Sequence, residues 1–361
     1  MHLFQINNKK NITRDWGERI RFYIAGWLLA SILFFIIRRV GNSGDSEMNV
    51  TVIQSLWLLP FISIISGTVF GSLLYFFDKY LFRKIPLWKL LLRLALAQII
   101  IISLVIGLFF PLVSVMKPHT LNLWEFLKSP VAFIYYLYVF IVNSSLSFLW
   151  EITRLLGRGN FLKLVTGKFY FPKEEYRIFM FVDLKSSTTI AEKLGHLEYS
   201  SFIKDCFYDL SVAHQYGTQI YQYVGDEAVL TWLPEKMKRI TECIDAFWEF
   251  NDTLLRKATY YKDKYDMVPE FKAGMSVGMA TVVEIGDYKK EIAYHGNVLN
   301  TAARIEEMCN VLNEKLLISK KLYDVIAGEK SCYTYTKVAE TQLRGKQGIT
   351  EIYSVRKNAV N

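Results

Sequence analysis

Four uncharged stretches fill most of the first 150 residues: Phe22 to Ile37, Met48 to Phe77, Leu94 to Met116 and Ser129 to Trp150. A helix needs about 20 apolar residues to cross a bilayer, so the last three qualify outright and the first is short. Arg19, Arg21, Arg38 and Arg39 can snorkel to make up its deficit. The run from Met48 to Phe77, with aromatics such as Trp57 and Tyr75 near its ends, points to lipid rather than to the core of a soluble bundle. Basic residues before the first stretch (Lys9, Lys10, Arg14, Arg19, Arg21) and between the second and third (Lys79, Arg83, Lys84, Lys89) place those sides in the cytoplasm. Four spans then return the C-terminal half to the cytoplasm, although Arg38 and Arg39 at the outer end of the first span run against this orientation. No small-residue cleavage site follows the first span, so it reads as a retained anchor in a cell (plasma or inner) membrane. Almost no charge lies within the spans, which argues against a transporter.

After Trp150 the chain becomes charged. The expected layout is a four-helix transmembrane domain over 1–150, a cytoplasmic linker over 151–176, an α+β domain over 177–355 and a tail over 356–361. The net charge of +9 does not call for nucleic acid, because the basic residues gather at membrane flanks and in the linker, where Arg154, Arg158, Lys163 and Lys168 suit anionic lipid headgroups. The four cysteines lack short-spaced pairs, so reduced thiols are expected rather than zinc or disulfides.

In the second half, Phe179-Met-Phe-Val-Asp183-Leu-Lys-Ser-Ser-Thr188 reads as a buried strand that delivers a carboxylate to a helix start. The segment Gln219 to Trp232 reads as a hairpin with Gly225-Asp226 at its turn. Adjacent strand ends would hold Asp183 and Asp226 side by side, as oxygen ligands for hard divalent cations against nucleotide phosphates. An Asp after a strand is also an ordinary helix cap, and Gly-Asp a common turn. A third element changes the balance: His295-Gly-Asn-Val-Leu-Asn300-Thr-Ala-Ala-Arg304 opens a helix with Asn300 and Arg304 four apart on one face. Leu197 to His214 and Ile240 to Tyr261 have helical spacing, and Phe271 to Glu284 reads as a strand pair or one long strand. Helices are expected on one face of the sheet.

These three motifs, in this order, resemble the catalytic domain of the class III adenylyl/guanylyl cyclases, over roughly Arg177 to Val355. The resemblance implies a ferredoxin-like α+β fold. It also implies conversion of ATP to 3′,5′-cyclic AMP and pyrophosphate, with two Mg²⁺ or Mn²⁺ ions on Asp183 and Asp226. Arg304 would stabilise charge on the α-phosphate and Asn300 would orient the ribose. Backbone N–H groups of Leu184, Lys185, Ser186 and Ser187, and the side chain of Arg344 or Lys346, would meet the phosphates. In the family the metal carboxylates and the Asn/Arg pair come from different chains, which implies a homodimer with two equivalent sites. Many members carry Lys and Asp where this chain has Gln222 and Ala293, and there the pair recognises adenine. An amide can pair with either purine, so ATP is favoured over GTP by family precedent rather than by these residues. A guanylate cyclase, a nucleotide-sensing homologue without turnover and a diguanylate cyclase are the alternatives; the last leaves Asn300 and Arg304 unexplained.

Overall fold

The computed structural model describes residues 2–41, 52–80, 130–157, 160–329, 332–342 and 349–358, with single positions 89, 92, 96, 99 and 103. The chain divides into two compact units, Met1–Ile152 and Thr153–Asn361.

The first unit contains helices α1 (His2–Gly41), α2 (Val52–Tyr80) and most of α3 (Pro130–Leu155). Among the described residues, Trp16–Ile37 is the helix long and apolar enough to cross a membrane, with a hydropathy of 2.1. The expected second and fourth spans fall on α2 and α3, whereas the third lies outside the described residues. Small residues that let backbones approach and polar contacts between helices favour close association. Both are present. Gly67 lets α2 approach so closely that an added Cβ would lie 2.5 Å from Ile24 Cα. The buried Trp27 donates its Nε1–H to Asn143 Oδ1 at 3.3 Å, and the Tyr23 and Ser147 hydroxyls meet at 3.0 Å.

The second unit opens with α4 (Asn160–Val165) and β1 (Lys173–Leu184), which begins ahead of the expected boundary at 177. Then come α5 (Ser187–Leu210), a 3₁₀ turn (Ser211–Tyr216), β2 (Gln219–Val224), β3 (Glu227–Trp232), α6 (Glu242–Arg256) and α7 (Ala258–Tyr265). The chain continues through β4 (Phe271–Ile285), β5 (Glu291–His295), α8 (Asn297–Leu312), β6 (Leu316–Ser319), α9 (Lys320–Ile326), β7 (Tyr333–Gln342) and β8 (Ile349–Lys357). The strands form one sheet in the order β2-β3-β1-β4-β6-β8-β7, with β5 on β4. Pairing is antiparallel except between β4 and β6. The expected helix from Leu197 starts earlier, at Ser187, because Gly195 with φ 70° kinks α5 and hides its first turns from a simple periodic reading.

Helices cover both faces of this sheet, not one. Side chains alternate across a strand, and β1 is apolar on both sides. Ile178, Met180, Val182 and Leu184 pack with Phe202, Phe247 and Phe250 of α5 and α6, while Phe179 joins Val298 and Ala302 of α8 on the opposite face. Bare backbone on β4 makes room for α8: a Cβ on Gly274 would fall on the backbone of Glu306, 2.5 Å from its Cα. Gly274→Ala is therefore expected to force α8 off the sheet and destabilise the domain by about 1–3 kcal/mol, the ordinary cost of overpacking. A lowered thermal midpoint checks this.

Two buried polar hubs fix the frame. Asp205 accepts hydrogen bonds from Tyr260 (2.6 Å), Tyr265 (2.8 Å) and Lys264 (2.8 Å), and Asp209 accepts from Tyr261 (2.8 Å), which ties α5 to α7. Arg177 is fully buried in β1. It donates to Glu175 at 2.8 Å, Thr231 at 3.1 Å and Gln219, and lies 4.8 Å over the Tyr294 ring. The linker is anchored by Phe169, 1% exposed within the cluster of Val282, Tyr294, Val298 and Ala302, whose carbonyl accepts from Glu284 N–H at 2.8 Å. Lys163 turns toward that anchor, 5.5 Å from the Phe169 ring. Burial, then the charge of Arg177, brings its amine down to about 8.

Candidate active site

Antiparallel pairing sets Asp183 opposite Glu227 on β3 and opposite Lys272 on β4. Asp226 occupies the turn just before Glu227, so the two carboxylates expected to pair stand at neighbouring strand ends. Asp183 is half-buried and accepts an ion pair from Lys272 at 2.9 Å; Lys272 also donates to Glu306 of α8. Burial pushes the Asp183 carboxyl up; Lys272 opposes this, and the Asp226 charge adds to it. Burial likewise raises Glu306, and raises Glu227 to about 7 with help from the charges of Asp183, Glu306 and Asp226. Burial alone would lower Lys272, but its hydrogen bonds to Glu306 and Asp183 outweigh that and keep it protonated.

One buried cation thus serves two carboxylates, Asp183 and Glu306, with Glu227 and Asp226 beside them, and that excess of carboxyl groups is the setting a hard divalent cation fits. The oxygen donors suit Mg²⁺ or Mn²⁺. Among the described residues no group of three or more acidic, His or Cys side chains could hold a metal. Asp183 and Asp226 would therefore share the ion with substrate oxygens and water, as Mg²⁺ commonly requires.

The excess of carboxyl groups has a measurable consequence in chelator. Glu227 carries a folded-state value near 7 against an ordinary 4.5, so between those values the native state binds more protons than the unfolded chain. Its contribution to stability is complete below about 4.5 and is lost as pH rises through about 7. Melting in chelator should show a falling midpoint over this window, flatter in Glu227→Gln and flatter again with added Mn²⁺.

The phosphate-facing segment differs in part from expectation. Lys185 N–H donates to Glu270 O at 2.9 Å, and its side chain lies 3.7 Å from the Glu270 carboxylate. Leu184 N–H is directed to the carboxylate of Asp183. Lys185 is engaged because β1 stays paired with β4 as far as Leu184 opposite Phe271. Ser186, in a left-handed conformation at φ 58°, caps α5 without a side-chain bond, and Ser187 hydrogen-bonds Tyr199. The Tyr199 hydroxyl is raised by burial and then by the charges of Asp226 and Asp183, which places it beside the carboxylates.

Asn300 and Arg304 lie together on the outer side of α8, while Thr301, Ala302, Ile305 and Glu306 are buried. Arg304 donates to Glu307 at 2.8 Å. Among the described residues no hydrogen bond or ion pair joins Asn300 or Arg304 to Asp183 or Asp226. Gln222 is exposed on edge strand β2, and Ala293 is buried in β5. Arg344 and Lys346 lie outside the described residues. Lys272 and Glu306 were not anticipated, although Lys272 is a lone charge inside the apolar Phe271-Lys-Ala-Gly-Met; Glu306, between Arg304 and Glu307, carries no such signal.

A mixed sheet with carboxylates at its central strand end and an Asn/Arg helix on one face defines a nucleotide-cyclase type of catalytic domain. The family described as adenylate and guanylate cyclase catalytic domain matches residues 172–357, and the chain belongs to it. Adenylate cyclase 2 of Rhizobium meliloti (strain 1021) is 34% identical over 186 residues, which is 51% of each chain, so this chain spans about half the length of that relative. A bacterial light-regulated adenylyl cyclase superposes with a TM-score of 0.52 at 16% identity, covering 61% of this chain and 64% of that one. The adenylyl cyclase CyaB from P. aeruginosa gives a TM-score of 0.46 at 18% identity, over 52% and 97%.

Proposed function

We propose that this chain is a membrane-anchored adenylate cyclase that makes 3′,5′-cyclic AMP and pyrophosphate from ATP, with two active sites shared across a homodimer. The observation that carries the reading is the separation of two half-sites. Asp183 and Asp226 gather at strand ends, while Asn300 and Arg304 point outward from α8 with no bond to them. A second copy related by two-fold symmetry supplies each half with its complement.

In the reaction the ribose 3′-oxygen forms a bond to the α-phosphorus, the bond from that phosphorus to the bridging oxygen breaks, and pyrophosphate leaves. Asp183 and Asp226 would hold the divalent ions, which when bound would supply acidification of the attacking hydroxyl and screening of the phosphates. Arg304 offsets charge on the α-phosphate in the transition state, and Asn300 holds the ribose in line for attack. Lys272 opposes the rise that burial imposes on the Asp183 carboxyl and orients it. Ser186 and Ser187 carry the loop N–H groups left for phosphate, with Arg344 or Lys346 completing the terminal-phosphate contacts.

The ATP assignment rests on the 34% identical relative, which is named an adenylate cyclase. Gln222 in place of a lysine favours a second reading in which GTP is also accepted, since an amide pairs with either purine. The membrane half is read as four spans with both termini cytoplasmic and its basic flanks on lipid headgroups, supported by the apolar helix Trp16–Ile37. Product analysis of the full-length protein in detergent, given ATP or GTP with Mn²⁺, tests the reading. Cyclic AMP should dominate with modest selectivity. Faster cyclic GMP formation would replace the adenylyl assignment, and no cyclic product from either would favour a nucleotide sensor.

A further inference from the structure

Lys272 and Glu306 are charged where sheet and helix are otherwise apolar, with side chains 8% and 6% exposed. Their bond meets the carboxylate of Asp183, 2.9 Å from Lys272 Nζ, so one cation links β1, β4 and α8. The link stands where helix and strand touch most closely, since an added Cβ on Gly274 would fall on the Glu306 backbone. Stability does not require it: well-packed apolar residues commonly serve as well as a buried ion pair, and what the pair adds is a defined geometry. Glu306 lies two residues beyond Arg304, about 200° around the helix. Any rotation of α8 that releases Glu306 from Lys272 therefore re-aims Arg304.

We infer that Lys272 and Glu306 form a positioning pair that couples the two active sites of the dimer. Through Lys272 the pair sets Asp183 for its own site, and through α8 it sets Arg304 for the other. This rests on the shared-site reading. The geometry assigns neither residue to the reacting atoms; they act through Asp183 and Arg304.

The test uses full-length chains co-expressed in one membrane. One chain carries Asp226→Ala, which leaves Asp183 paired with Lys272, and its partner Arg304→Ala, so each mixed dimer holds a single whole site with Arg304 from the first chain and the Asp183/Asp226 pair from the second. Glu306→Gln is then added to either chain, and kcat, KM and melting temperature are measured. The expected result is a kcat about tenfold lower from either placement, the usual scale for loss of an outer-shell partner, with KM for ATP within about twofold and a melting curve like that of the parent pair. Glu306→Asp, a milder change that keeps the charge, should recover part of the loss in both placements. Loss only when Glu306→Gln sits on the Arg304→Ala chain would reduce Glu306 to a support for the carboxylates, and loss only when it sits on the Asp226→Ala chain to a support for the helix; either overturns the coupling. No loss from either placement, or a loss that tracks melting temperature, also overturns it. If the parent pair itself stays silent despite forming mixed dimers, the shared-site reading has failed and the coupling falls with it.

Discussion

Co-expressed full-length Asp183→Ala and Arg304→Ala chains should recover roughly a quarter of wild-type turnover, whereas each expressed alone stays at background. Either homodimer has the same lesion in both sites. In a mixed dimer the lesions fall together in one site and leave the other whole. Random pairing makes about half the dimers mixed, each with one good site of two, which gives the quarter. Co-expression is needed so that chains pair before the membrane fixes them. Asp226→Ala should behave like Asp183→Ala, because both remove charge compensation at the same strand ends. Neither should shift the melting curve much, since Asp226 is only partly buried and Lys272 retains Glu306 when Asp183 is removed. Stable mixed dimers that remain at background would show that all four residues act within one chain.

Arg177→Met should lower stability more than any change at the site. The guanidinium is fully buried, and its removal strands the Glu175 carboxylate, whose side chain is 15% exposed, along with hydrogen-bond partners on Gln219 and Thr231. Breaking a buried pair by removing one partner costs about 3–5 kcal/mol. In a domain of this size each kcal/mol moves the midpoint by about 2–4 °C, so a fall of about 6–20 °C is expected in a thermal melt of the full-length protein. Methionine keeps much of the volume, so the loss reports the charge rather than a cavity. A midpoint within about 2 °C of wild type would mean that water reaches Glu175 and restores its solvation.

The hairpin, the strand before Asp183 and the helix carrying Asn300 were legible because each has a local signal: a Gly-Asp turn, an apolar run and a four-residue spacing. The second helical layer was not, although the unbroken Ile178-Phe-Met-Phe-Val182 run is apolar on both strand faces and so already implies cover on both. Lys272 and Glu306 escaped for a different reason. Their partners are 34 residues apart in sequence, and only the parallel return of β6 beside β4 brings α8 across the sheet to join them. The engaged N–H of Lys185 depends in the same way on how far the pairing with β4 extends, which no local pattern encodes.

Phe169 packs the end of the linker into the catalytic domain itself, against the sheet as well as the helix. Its ring shares one apolar cluster with Val298 and Ala302, on the helix that carries Asn300 and Arg304. The end of the linker and that helix are therefore parts of one close-packed block, in which a gap left at 169 is felt at Val298 and Ala302. Trimming Phe169 to leucine should thus loosen the seat of α8 on the sheet, with a lowered thermal midpoint as the readout.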